Sequence, residues 1–165
     1  MQNPYLEVRP SAIEGSGAFA RCCIPKGTRI IEYAGERITP AMAHDRYGRD
    51  SRWVDDFFDE EPHFYLFTVD SNIIIDGGVN GNEARFINHS CMPNCEAVTE
   101  NGRAYIEALR PIKEGEELTF DYRLDGGPDV TEEDKLRYAC FCGTAFCRGT
   151  MLAPRRVKEV VVMLD

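Results

Sequence analysis

The chain has 165 residues, 43% of them hydrophobic, which suits one compact domain with a small appendage. Its formal charge of -9 at pH 7, with no block of Lys or Arg, argues against nucleic acid as the main partner and fits a basic peptide better. No run reaches the ~18 uninterrupted apolar residues of a membrane span, and the opening Met-Gln-Asn-Pro lacks a signal-peptide layout, so a soluble intracellular protein, cytoplasmic or nuclear, is expected.

Along the chain, short strand-like runs alternate with turn signals, and the predicted class is mainly β with few short helices. Gly15-Ser16-Gly17 is either a tight turn or a place where backbone approaches a ligand closely. Arg29-Ile30-Ile31-Glu32-Tyr33, after Pro25-Lys26-Gly27, predicts a strand. Thr39-Pro40 predicts a helix to about Tyr47, with Thr39 as N-cap and Pro40 in its first position. Asp55, Asp56, Asp59, Glu60 and Glu61, interleaved with Trp53, Phe57 and Phe58, form either a solvated acidic loop or a surface for a Lys/Arg-rich segment. Ile73-Ile74-Ile75 predicts a strand ending at Asp76-Gly77-Gly78. Asn101-Gly102, between two alternating runs, predicts a two-residue hairpin. Asp125-Gly126-Gly127-Pro128 reads as a hinge, and Thr131-Glu132-Glu133-Asp134 as a capping box opening a helix through Arg137. The tail from Arg155 to Asp165, with its Val160-Val161-Val162-Met163-Leu164 run, carries no functional signal.

Seven cysteines, an odd number in a chain read as intracellular, speak to metal or thiol chemistry before disulfides. Cys140, Cys142 and Cys147 form C-x-C-x4-C among polar residues, three ligands of a tetrahedral zinc site that needs a fourth. Cys22 and Cys23 have no evident role. Asn88-His89 and the nearby Arg85 offer donors, acceptors and a permanent charge, suited to a zwitterionic ligand or to a hydrogen-bonded loop core.

Four motifs in series then carry a resemblance. They are Gly15-Ser16-Gly17 through Glu32-Tyr33 and Gly35-Glu36; Tyr65-Leu66-Phe67 ahead of Ile75-Asp76; Gly81-Asn82 with Ala84-Arg85-Phe86-Ile87-Asn88-His89-Ser90-Cys91 and Pro93-Asn94-Cys95; and Glu117-Leu118-Thr119-Phe120-Asp121-Tyr122 with the cysteines downstream. Over roughly Leu6 to Met151 the chain resembles the SET domain of protein-lysine methyltransferases, with a post-SET extension. The resemblance implies small curved sheets joined by a pseudoknot. It divides the chain into a SET domain at 4–125 with a variable insert at 39–64, a linker and short helix at 126–137, a post-SET zinc motif at 138–152 and a tail at 153–165.

The resemblance further implies methyl transfer from S-adenosylmethionine, giving S-adenosylhomocysteine, to a lysine of a basic segment such as a histone tail. It assigns Tyr122, Tyr65 and Phe120 to the reaction, with Tyr33 also lining the lysine channel. Ser16, Gly17, Ala18, Tyr65, Arg85, Phe86, Asn88, His89, Tyr122 and Phe141 become cofactor contacts, with only backbone offered at Ala18. Phenylalanine at 120, where relatives with tyrosine stop after one methyl, implies di- or trimethylation. Cys91 becomes the fourth zinc ligand, with Cys95 as runner-up. The competing readings are a non-catalytic module that binds lysine tails and a zinc-stabilised scaffold; the oligomeric state is not legible.

Overall fold

The computed structural model describes residues 3–47 and 65–154. The acidic run from Trp53 to Glu61 and the tail from Arg155 to Asp165 lie outside the described residues. In chain order the elements are β1 (Leu6–Pro10), β2 (Ser16–Ala20), β3 (Arg29–Glu32), β4 (Glu36–Ile38), α1 (Pro40–Tyr47), β5 (Leu66–Thr68), β6 (Ile74–Asp76), a 3-10 turn (Glu83–Phe86), β7 (Asn88–His89), β8 (Cys95–Glu100), β9 (Arg103–Ala108), β10 (Thr119–Phe120) and α2 (Glu132–Arg137). They assemble small sheets ordered β1-β2, β3-β9-β8, β4-β6-β5 and β10-β7, so the fold is mainly β, as expected.

Strand β9 shows why these segments pair. Ala104, Ile106 and Ala108 are buried on one face, while Arg103, Tyr105 and Glu107 alternate toward the other. Together with Leu6, Ile24, Ile87, Ile112 and Leu118, Ile106 is among the largest fully buried side chains, and each contributes about 1.5–3 kcal/mol on burial. The β8–β9 connection is the expected hairpin: Asn101 at φ 50° and Gly102 at φ 72° both adopt the left-handed backbone that this turn demands.

Both helices start as their caps prescribe. The Met42 N–H donates to Thr39 Oγ1 at 3.2 Å, and Thr131 and Asp134 form a reciprocal capping box. One strand is offset by a residue: β6 begins at Ile74, because the Asp70 carboxylate accepts the N–H groups of Asn72 at 2.7 Å and Ile73 at 3.0 Å and holds both in the turn. Asp76 then stays in the strand, almost fully buried. Its carboxylate accepts from Arg46 Nη1 at 2.7 Å, the Tyr47 hydroxyl at 2.6 Å and the Gly78 N–H at 3.0 Å, which pins α1 to β6.

After Tyr122 the chain leaves the body and returns. Leu124 bridges Leu152 in parallel, with Leu124 N–H donating to Met151 O at 3.2 Å and Ala153 N–H to Leu124 O at 2.9 Å. The segment carrying Cys140, Cys142 and Cys147 is thereby docked beside β10. Among the described residues, no helix is long and apolar enough to cross a membrane.

Candidate active site

Strands β7 and β10 are each two residues long and lie parallel, with Asn88 opposite Thr119 and His89 opposite Phe120. This pairing brings the Asn-His motif against the Phe-Asp-Tyr motif. Beyond the sheet, the Tyr122 N–H donates to His89 Nδ1 at 3.1 Å and the Tyr122 hydroxyl donates to Ile87 O at 2.8 Å.

A chain of rings surrounds Tyr122. Ring centroids lie 4.8 Å apart for Phe120 and Tyr122, 6.3 Å for Phe67 and Phe120, 5.2 Å for Tyr33 and Phe67, and 5.3 Å for His89 and Tyr122. Tyr65 stands edge-on to Phe86 at 6.0 Å, and its carbonyl accepts the Tyr33 hydroxyl at 3.1 Å. Burial pushes the phenols of Tyr33 and Tyr122 well above their ordinary value, with further contributions from neighbouring tyrosines. Both therefore stay neutral, and each has committed its single proton to a backbone carbonyl. The two oxygens are left with acceptor capacity only.

The glycine loop is tied to this site through Asn88. Its side-chain nitrogen reaches Ser16 O at 3.2 Å, Glu14 O at 3.3 Å, Ser11 Oγ at 3.2 Å and Glu117 Oε1 at 2.9 Å, while the Ser11 hydroxyl donates to the same Glu117 oxygen at 2.7 Å. Gly15 has φ 37°, which favours glycine. Gly17 is required for a different reason: a Cβ there would run into the Glu117 carboxylate and Ser11 Cβ. Ser16 is exposed, whereas Ala18 is fully buried and its carbonyl accepts from the Leu118 N–H at 2.8 Å.

Arg85 lies across the aromatic wall, its guanidinium carbon 4.7 Å from the Phe86 centroid and 5.5 Å from that of Tyr65. Nη1 donates to Gly77 O at 3.3 Å, and among the described residues the buried Nε has no partner. A guanidinium with an uncommitted N–H suits a carboxylate, and the rings suit a sulfonium cation, so this set fits S-adenosylmethionine. Phe141 stands between Cys140 and Cys142 in the 138–152 segment, 67% exposed, as a ring available to cover a ligand.

The Sγ atoms of Cys91, Cys140, Cys142 and Cys147 all lie within 4.8 Å of one another. Cys91 and Cys140 are 3.7 Å apart, close to the ~3.8 Å edge of a tetrahedron built on Zn–S bonds of ~2.3 Å. Burial pushes the Cys140 thiol up, whereas Cys142, despite burial, is brought down to about 5 by the Thr144 hydroxyl and neighbouring groups. The donors and their spacing fit zinc. Cys95 stands apart, fully buried on β8, with burial pushing its thiol up to about 12.

Three residues without an assigned role in the sequence reading prove central to the geometry. Glu117 anchors Asn88, and Arg148 forks Asp121 with Nη1 to Oδ2 at 2.9 Å and Nη2 to Oδ1 at 2.8 Å. The available signal was position alone, since Asp121 separates Phe120 from Tyr122 and Arg148 directly follows Cys147.

The sequence pattern of the SET domain matches residues 15–123. A Chaetomium globosum protein named "Histone-lysine N-methyltransferase, H3 lysine-4 specific" is 42% identical over 143 residues, covering 84% of this chain and 12% of that protein. A Schizosaccharomyces pombe protein of the same name is 40% identical over 148 residues, covering 87% of this chain and 15% of its own length. The Drosophila melanogaster "Histone-lysine N-methyltransferase trithorax" is 37% identical over 150 residues, covering 87% and 4% respectively. This chain thus spans a small part of each of these three relatives.

Proposed function

The chain belongs to the SET-domain family, and from that premise we propose that it is a protein-lysine N-methyltransferase using S-adenosylmethionine and acting on lysine 4 of the histone H3 tail. The observation that carries this reading is the ring-lined site in which Tyr122 and Tyr33 have spent their protons on backbone carbonyls. The substrate is taken from the names of the relatives and agrees with an acidic chain, whose charge favours a basic peptide. Action on that substrate places the protein at chromatin.

S-adenosylmethionine supplies a methyl carbon on a sulfonium sulfur and leaves as S-adenosylhomocysteine. The Tyr122 and Tyr33 oxygens, able only to accept, orient the N–H groups of an entering ε-amine. The apolar walls of Phe67 and Phe120 favour the amine over the ammonium, so the proton is given up to water as the lysine enters. Alignment of amine and methyl carbon supplies the larger share of the rate, since a near-attack geometry is worth ~7–11 kcal/mol. Phe120 brings no hydroxyl to hold an obstructing water, leaving room for an already methylated amine and hence for di- and trimethylation.

Cofactor binding falls to Ser16, Gly17, Ala18, Tyr65, Arg85, Phe86, Asn88, His89 and Tyr122, with Phe141 covering from the flap. Arg85 offers its Nε–H, unpaired among the described residues, to the carboxylate of the ligand. Ala18 has only backbone to offer, and Asn88 keeps the loop at Ser16 in place from below. Zinc held by Cys91, Cys140, Cys142 and Cys147 would lock the 138–152 flap onto the 4–125 body, beyond the linker and helix at 126–137.

The test is methyl transfer from labelled cofactor by zinc-loaded protein onto core histones, with modified residues mapped by mass spectrometry and cofactor binding measured by calorimetry. Label on lysine 4 of histone H3 is the expected result. Label on another lysine would retain the reaction and overturn the substrate. Absence of cofactor binding would overturn the enzyme reading in favour of a lysine-tail binding module.

A further inference from the structure

We propose that Arg148 is a positioning residue that ties metal occupancy of the four-thiol cluster to the placement of Tyr122. Its consequence for rate rests on the methyltransferase reading; the mechanical link does not.

Arg148 belongs to both sides of the junction. Its backbone N–H donates to Cys91 Sγ at 3.3 Å, and it follows Cys147 directly, so its main chain moves with two members of the cluster. Its guanidinium meanwhile grips both oxygens of Asp121, at 2.9 and 2.8 Å, one residue before Tyr122. Side-chain exposures of 24% and 17% shelter the pair from solvent, which sets it apart from a surface ion pair. Two parallel N–H groups fix orientation as well as distance, a geometry that lysine cannot reproduce. Asp121 also accepts the Arg123 N–H at 3.2 Å, and Arg123 has φ 48°, so the chain bends sharply just beyond Tyr122 and its course there depends on this carboxylate.

A second route from the cluster ends at the same residue. The Tyr122 N–H on His89 Nδ1 makes that nitrogen the acceptor, leaving the ring proton on Nε2, which faces Cys91 Sγ at 3.4 Å. His89 and Arg148 thus flank the Phe-Asp-Tyr segment, and both start from Cys91. A metal gathering the four thiolates holds both props in register. When the thiolates separate, the Arg148 main chain loses its anchor and the fork no longer fixes Asp121.

The link is tested by amide hydrogen exchange at Tyr122 in the wild type, Arg148→Gln and Arg148→Lys, each with zinc bound and after chelation, with zinc content measured throughout. In the wild type, chelation should speed exchange at Tyr122 by ~10-fold or more, as expected for loss of a charge-assisted contact. Zinc-loaded Arg148→Gln should exchange at that faster rate already, while keeping one zinc per chain and wild-type protection in β8 and β9. Arg148→Lys, which keeps the charge and most of the packing, should behave like Arg148→Gln because the fork is lost. Methyl transfer should fall in kcat by ~10–100-fold, with cofactor Kd within about twofold of the wild type.

Wild-type protection at Tyr122 in zinc-loaded Arg148→Lys and Arg148→Gln would overturn the proposal. So would loss of zinc or of β8 and β9 protection in both variants, which would make Arg148 a brace of the fold. A wild type that transfers no methyl would overturn the methyltransferase reading, leaving the exchange comparison to decide the link by itself.

Discussion

Replacing Glu116 by Gln removes one charge at the turn that leads into β10. The Glu116 carboxylate accepts from the Arg110 guanidinium, from Asn94 Nδ2 at 3.0 Å and from the Lys113 N–H at 3.1 Å. Burial opposes its ionisation, but these donors outweigh burial and bring it from 4.5 down to about 2. At about 1.4 kcal/mol per pH unit the lowering corresponds to ~3 kcal/mol, and screening of Arg110, which is 52% exposed, reduces this to ~2 kcal/mol. A carboxylate lowered in the folded state stabilises fully above its unfolded value and loses that contribution as pH falls toward about 2. Urea unfolding of wild type and Glu116→Gln, followed by circular dichroism from pH 7 to pH ~3, should therefore show a gap of ~2 kcal/mol at neutral pH that narrows below pH ~4.5. A gap under about 0.5 kcal/mol at pH 7, or one that stays constant across the range, would refute the reasoning.

The same reasoning extends to the site. Phe120→Tyr adds a hydroxyl beside Tyr122, whose ring lies 4.8 Å away, and should restrict the product to monomethyl-lysine by mass spectrometry; trimethylation at wild-type rate would contradict the role given to Phe120. Cys142→Ser removes the thiol brought down to about 5 and should weaken zinc binding beyond the ~10–100-fold that loss of an outer contact costs, read as zinc content after gel filtration. Stoichiometric zinc in that variant would remove Cys142 from the ligand set.

Elements ruled by neighbours in sequence were legible before the structure. The Asn101-Gly102 hairpin and the caps at Thr39 and Thr131 each follow from a few adjacent residues, and all three formed. Strand β10, only Thr119 and Phe120, is too short for a periodic pattern and exists because β7 reaches it from far along the chain. For Asn88 the sequence leaves a ligand contact and a hydrogen-bonded loop core equally open, and the contacts its amide nitrogen makes with Glu117, 29 residues away, and with the loop from Ser11 to Ser16 come only with the fold. Asp121 and Arg148, 27 residues apart, meet only after the chain turns at Arg123 and Leu124 docks against Leu152. Charged pairs of this kind leave no periodic trace, so tertiary geometry alone reveals them. The C-x-C-x4-C spacing makes Cys140, Cys142 and Cys147 legible as three metal ligands, whereas Cys91 is implied only by the family resemblance and meets them, with all four Sγ atoms within 4.8 Å of one another, through the fold.

Single-turnover methyl transfer by zinc-loaded wild type and Tyr122→Phe, with cofactor affinity measured on both, tests the central claim most directly. Loss of the hydroxyl should abolish transfer to a histone H3 tail peptide while cofactor Kd stays within about threefold, because Tyr122 acts on the incoming amine more than on cofactor binding. Transfer by Tyr122→Phe at the wild-type rate would contradict the account and remove Tyr122 from the reaction.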